Sequence, residues 1–345
     1  MSTGMTEMDQ NSIFRLFYDG EPISFETINT SRGALDFREV IIAKAASDEK
    51  YIIKLADNDF TFPNKIEMWK RTAHEYRQLG YYCPAIIPDK TGQFPYIHYK
   101  GHNCVAYAEE YAPYLPVEQC SLDTSDKSNV SINEYKEDIW IMTAQIAAKY
   151  LDYTSYPSGY CLFETFCPSD EIDEVLENAL SWKEYAETLP DEFREQVQRI
   201  WLLWTENRKT LEPIYKILPT SVFQADLNPS NILLDDAGKF VGVYDFNLCG
   251  KDVFLNYLFR EIYNSDFGQE LNMIIKTLQT VSKYYHFSET EKNAALMLYR
   301  CIKPLWFNKL QKLKGLQNDI DAIKEHLNET ERYLTETIDF SLYMI

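Results

Sequence analysis

The chain has 345 residues, 45% of them hydrophobic and 14% aromatic, and a formal net charge of −19. That is enough apolar material for a sizeable core in one large or two modest domains, and it excludes extended disorder. The negative charge argues against nucleic acid as a main partner, because phosphate backbones are met by Lys and Arg; it is compatible with a cationic substrate and equally with an ordinary soluble protein.

The opening MSTGMTEMDQ has neither a basic n-region nor an apolar h-region, so no signal peptide is expected. No apolar run approaches the ~20 residues of a membrane helix, so no membrane partner is expected. Strands come first. Residues 23–30 (ISFETINT) and 37–46 (FREVIIAKAA) flank the turn SRGA, and residues 51–57 (YIIKLAD) follow across SDEK, which reads as an antiparallel three-stranded meander. Pro63 opens a helix and Gly80 closes it. Two further strands are expected over residues 95–99 and 104–110.

Residues 113–130, rich in Pro, Ser and Asp, read as a loop. Ser131 and Glu134 have capping-box spacing and open a long amphipathic helix. The pattern stays helical to about Leu218, returns to strands over residues 221–247, and is helical again over 253–345. The seven cysteines form no CxxC, and their irregular spacing fits reduced thiols in a cytoplasmic protein. Cys161 and Cys167 have no nearby His to complete a metal site. The expected fold class is therefore α+β. A small β-rich lobe, residues 1–112, precedes a large helical lobe, residues 113–345, that carries one hairpin; ligands tend to bind between such lobes.

The chemistry concentrates in SVFQADLNPSNILLDDAGKFVGVYDFN, residues 221–247. A short strand ends at a polar loop, and a hairpin turning at residues 236–238 follows. Asp226, Asn231 and Asp245 can then meet at one sheet edge. Carboxylates that close repel unless a cation joins them or one is protonated. Mg2+ takes oxygen ligands, one or two carboxylates among them, which Asn231 and Asp245 can supply, while Asp226 can face an incoming hydroxyl. That division of labour is phosphoryl transfer, with Asp226 as catalytic base. Turn formation alone explains Asp, Asn and Pro in either loop; the combination D-x4-N, hairpin, D-F is more specific.

This segment resembles the catalytic and metal-binding segment of the aminoglycoside phosphotransferase and choline kinase group, which has a protein-kinase-like fold. The group's pattern is H-G-D-x-H-P-x-N, a hairpin, then I-D-F/W. This chain keeps Asp226, Pro229, Asn231, Asp245 and Phe246, with Gln224 and Asn228 in place of the two His. GKDVFLNYLFREIY looks like the group's next helix start, with Asp252 retained and Asn256 for the second Asp. The resemblance implies a two-lobe fold, ATP (GTP being an open alternative) and Mg2+ as cofactors, and a small-molecule hydroxyl acceptor.

It implies further residues. Lys54, on the third strand, would bind the α- and β-phosphates and pair with Glu75 on the helix. Lys54 also alternates with Ile53 and Leu55 as an ordinary solvent-facing strand residue does. The glycine-poor turn NTSRGAL would cover the phosphates through backbone N–H groups and Ser31. Residues 104–113 look like the segment joining the lobes, whose backbone at Glu110 and Ala112 would read the adenine edge.

The acceptor stays open between an aminoglycoside met by carboxylates, a choline-like cation met by aromatic rings, and a sugar or homoserine-like alcohol. A reading of another class is a nucleotide-binding pseudokinase or regulatory module. Protein-kinase activity is disfavoured, because no A-P-E-like segment follows DFN.

Overall fold

The computed structural model describes residues 7–33, 35–120, 134–153, 156–262, 266–317 and 319–345. In chain order it runs α1 (Gln10–Phe17), β1 (Ser24–Asn29), β2 (Phe37–Lys44), β3 (Lys50–Asp57), α2 (Pro63–Gln78), β4 (Ile86–Ile87), β5 (Tyr96–Tyr99), β6 (His102–Glu109), β7 (Leu115–Pro116) and α3 (Val117–Cys120). It continues with α4 (Glu134–Ala147), α5 (Glu174–Ala186), α6 (Arg194–Tyr215), β8 (Thr220–Phe223), β9 (Ile232–Leu234), β10 (Phe240–Val243), β11 (Gly250–Val253) and α7 (Phe254–Glu261). Four more helices close the chain: α8 (Phe267–Val281), α9 (Glu289–Ile302), α10 (Phe307–Gly315) and α11 (Ile320–Thr335). A β-sheet region is followed by a largely helical one, so the α+β class holds.

The chain divides into two compact units. Residues 1–130, 167–169 and 226–250 form the first, and residues 131–166, 170–225 and 251–345 the second. The hairpin of β9 and β10 clusters with the strand-rich unit, because its backbone bonds reach residues of that unit. Tyr82 N donates to Val241 O at 2.7 Å, and β7 pairs with β9.

In the first unit the expected meander forms, β1-β2-β3 antiparallel, with β6 next to β3 and β4 and β5 both paired to β6. β2 buries alternate residues, as pleated geometry dictates, while β6 is buried on both faces. Ile41, Ala43, Ile53, Leu55, Ala106 and Ala108 make one face, covered by Ile13, Phe14 and Phe17 of α1. Each fully buried Ile, Leu or Phe side chain contributes about 1.5–3 kcal/mol. Asp9 caps α1 by accepting from Ser12 N at 2.7 Å. This helix has only two turns, too short for a periodic pattern to separate from the strands after it. Pro63 does open α2, and Gly80, with φ +92°, does end it.

The described part of the segment after residue 112, expected to be a loop, carries regular structure. β7 and α3 lie there, anchored by Glu118 N donating to Pro229 O at 3.2 Å. Residues 1–6 and 121–133, and with them Ser131 of the capping box, lie outside the described residues.

In the second unit β8 pairs with β11, not with the hairpin strands that follow it in sequence. Asp252 thus sits on β11 instead of opening a helix. Its buried carboxylate accepts from Tyr215 Oη at 2.8 Å, Ser158 Oγ at 2.9 Å and Asn256 Nδ2 at 2.9 Å. Burial raises its pKa, and these donors pull it back. Among the described residues the seven cysteines form no disulfide. Among the described residues no helix is long and apolar enough to cross a membrane.

Candidate functional site

Lys54 lies opposite Val40 of β2 and Tyr107 of β6. Side chains two apart on a strand share a face, so Arg38 and Ile42 join Val40, Ile52 joins Lys54, and Glu109 joins Tyr107. All of them line one cavity of about 600 Å³, within the first unit. The alternation that suggested a solvent-facing Lys54 instead turns it into this cavity, its side chain 17% exposed. A volume of that order suits a nucleotide-sized ligand.

The Lys54 ammonium is 2.8 Å from Glu109 Oε2 and 3.6 Å from Asp245 Oδ1. Burial alone would lower its pKa, but Glu109, Asp245 and Tyr107 outweigh this and hold it well above the usual lysine range. Burial raises Glu109, against the opposing pull of Lys54. Glu109 is thus a partner of Lys54 that the sequence did not suggest. Glu75 is on α2 and is not a wall residue of the cavity. Glu109, on the strand beside β3, reaches the lysine through sheet register.

The hairpin brings Asn231 and Asp245 to the same cavity wall. Asn231 Nδ2 donates to the Asp226 backbone carbonyl at 3.2 Å, which fixes the amide and turns its Oδ1 away from that bond. Asp245 takes φ +60° and Ala225 φ +68°, the left-handed region. That conformation costs a non-glycine residue about 1–2 kcal/mol and persists only where neighbours impose it. Tyr244 N donating to Asn231 O at 3.1 Å does so beside Asp245. Asp226 is 8% exposed and is itself not on the cavity wall. Its Oδ1 accepts from Asn228 Nδ2 at 2.5 Å. Gln224, two residues before it, is fully buried.

The turn between β1 and β2 differs from expectation. Thr30 N donates to Arg38 O, Ser31 N to Asn29 Oδ1, and Arg32 N to Asp36 O. Ser31 Oγ accepts from Arg38 N at 2.9 Å and lies 3.2 Å from Arg38 O. These donors close the turn, so the expected backbone cradle and the Ser31 hydroxyl are already engaged, and Ser31 does not line the cavity. Glu110 and Ala112 do line it. The Glu110 carboxylate points elsewhere, to Arg77 Nη1 at 3.0 Å and Ala85 N at 3.2 Å.

Two features escape a reading by motif: the pairing of Glu109 with Lys54 and the place of Arg38 on the cavity wall. Glu109 and Arg38 share the parity of Lys54, a signal visible only once the strand register is known. Asn228 stands where the group's second His does and holds the Asp226 carboxylate.

No protein-family model matches the sequence, and no curated protein does. Solved structures do. An amicoumacin kinase, in complex with AMP-PNP, Ca2+ and Ami, is 13% identical with a TM-score of 0.50, over 97% of this chain and 97% of that one. A microcompartment-associated aminopropanol kinase is 12% identical, TM-score 0.49, over 90% of each chain. The aminoglycoside phosphotransferase APH(4)-Ia, with AMP-PNP and hygromycin B, is 11% identical, TM-score 0.44, over 90% of this chain and 94% of that one. The first of these establishes the fold: a protein-kinase-like fold of the kind small-molecule kinases have.

Proposed function

We propose that the protein is an ATP- and Mg2+-dependent phosphotransferase acting on a hydroxyl group of a small molecule. The observation that carries this reading is the meeting of the buried Lys54 ammonium with the oxygen donors of Asn231 and Asp245 on one cavity wall. The Asp226 loop is tied to that wall through Asn231. Lys54, aimed by Glu109, binds the phosphates. Asp226 accepts the hydroxyl proton while the acceptor oxygen bonds to the terminal phosphorus and the bond to the ADP oxygen breaks. Asn228 holds the Asp226 carboxylate in place for that step.

Asn231 Oδ1 and the Asp245 carboxylate are hard oxygen donors of the kind Mg2+ takes with water and phosphate oxygens. Mg2+ held there would supply neutralisation of phosphate charge. The amicoumacin kinase, whose fold the chain shares, binds AMP-PNP and Ca2+, which supports a nucleotide and a divalent cation here. Backbone groups of Glu110 and Ala112 on the cavity wall would read the base, ATP being preferred to GTP in this reading. The acceptor is a small alcohol, and the net charge of −19 favours a cationic one. The free cysteines suit the reducing cytoplasm.

A second reading, a nucleotide-binding module without transfer, draws support from Gln224 in place of His and from the engaged N–H groups of the β1–β2 turn. The two separate in one experiment: ATP consumption by the purified chain across aminoglycoside, choline, sugar and homoserine acceptors, with Mg2+ and with Mg2+ chelated. Turnover that needs one acceptor and Mg2+ supports the transferase. Nucleotide binding with no turnover on any acceptor supports the module.

A further inference from the structure

The β1–β2 turn leaves a phosphate-sized problem. The N–H groups of Thr30, Ser31 and Arg32 and the Ser31 hydroxyl all bond within the turn or to Arg38 backbone. Lys54 is already faced by two carboxylates, Glu109 and Asp245. A nucleotide tail carries several negative charges, and besides Lys54 the arginines Arg32 and Arg38 line the cavity; Arg32 is exposed, whereas Arg38 is held by Asp36.

Arg38 stands in the right place. It pairs with Ala56 on β3, while Val40 pairs with Lys54. Arg38 and Lys54 are therefore diagonal neighbours on the cavity face, about 7–8 Å apart by backbone spacing, and long side chains bridge that distance. Both line the cavity. The Arg38 guanidinium has five N–H donors. One nitrogen, Nη2, pairs with Asp36 Oδ2 at 2.9 Å, the side chain being 15% exposed. Its enclosed Nε takes no partner among the described residues. Asp36 in turn accepts from Asn58 Nδ2 at 2.9 Å, so the ion pair that positions the guanidinium is itself braced. Phe60 lies 5.9 Å from the guanidinium carbon, flanking the head group. A braced, partly unsatisfied guanidinium at a cavity wall is built to receive a phosphate, for which its planar fork is matched.

We propose that Arg38 takes over the role of the phosphate-covering turn, binding the polyphosphate tail of the nucleotide beside Lys54. This rests on the nucleotide reading above and adds to it a phosphate ligand outside the motif residues. It makes affinity depend on the number of phosphates through one side chain of β2.

The test is calorimetric titration of the full chain with AMP-PNP, ADP and adenosine, with Mg2+ present, on the wild type, Arg38→Gln and Arg38→Lys. Losing charge-assisted bonds of this kind weakens AMP-PNP by about 10- to 100-fold, while adenosine, which has no phosphate, changes by less than about twofold. Arg38→Lys keeps the charge without the fork and recovers part of the loss. It also serves if Arg38→Gln does not fold, because it should still weaken AMP-PNP several-fold relative to adenosine. An unchanged AMP-PNP to adenosine ratio in the variants overturns the proposal, as does an equal loss for both, which would mark Arg38 as a brace for Asp36 alone. If the wild type binds neither AMP-PNP nor ADP, the nucleotide reading fails and this inference with it. If the wild type binds AMP-PNP and Arg38→Gln binds it equally, this inference alone fails.

Discussion

Lys54 keeps its proton because of its neighbours. Burial opposes the charge, and Glu109 at 2.8 Å does most to restore it. Removing one member of such a pair leaves the other buried and uncompensated. Lys54→Ala and Glu109→Gln should therefore be non-additive, with a coupling of about 0.5–3 kcal/mol in a double-mutant cycle of unfolding free energies. Additive losses in this cycle would contradict the pairing of Lys54 with Glu109. That Lys54, Asn231 and Asp245 meet at one cavity wall follows from local patterns: a strand position, and a D-x4-N and D-F spacing within about twenty residues of chain. The pairing with Glu109 was not legible, because its link to Lys54 exists only in the register between β3 and β6.

Elements were legible where their ends carry chemistry. Pro63 and Gly80 bound α2, and the polar turn bounds the hairpin. The pairing of β8 with β11 and the docking of β10 on Tyr82 were not legible, since both join segments with no shared pattern. Gly242 marks that docking: a Cβ there would lie 1.8 Å from the Tyr82 carbonyl oxygen. Val243 N also donates to Tyr82 O at 3.0 Å, so neither backbone can retreat freely. Gly242→Ala should cost about 3 kcal/mol or more by overpacking, seen as a lowered urea midpoint; an unchanged midpoint would mean the contact is slack.

In α11, His326 is 2% exposed, and neither ring nitrogen has a partner among the described residues. Burial, with Lys312 adding to it, lowers its pKa from 6.5 to about 4. Between those values the unfolded chain binds a proton that the folded chain does not. Stability from this site is thus present above pH 6.5 and lost as the pH falls, by about 1 kcal/mol at pH 5.5. His326→Leu should remove that part of the acid sensitivity. Melting curves of the two proteins at pH 7.5 and 5.5 decide it, and an equal shift in both would contradict the assignment.

At the scale of the whole molecule, element order separated a strand-rich region from a helical one, and the resemblance carried by residues 221–247 pointed to the kinase-like fold. The hairpin of β9 and β10 clusters with the strand-rich unit, which sequence order does not reveal, because it says nothing about which core a two-stranded insertion joins. That placement gathers Lys54, Glu109, Asn231 and Asp245 within one compact unit. Asp226, held by Asn228 and tied to Asn231, is proposed as the base of a phosphoryl transfer. Asp226→Asn is isosteric, and the wall residues around the phosphates are untouched by it. The direct measurement is the steady-state transfer rate of Asp226→Asn on the acceptor found for the wild type, beside its melting temperature and AMP-PNP affinity. The account predicts a rate lower by ~10²–10⁴ with melting and affinity nearly unchanged. A rate equal to that of the wild type, from a protein that melts and binds AMP-PNP as the wild type does, would contradict it.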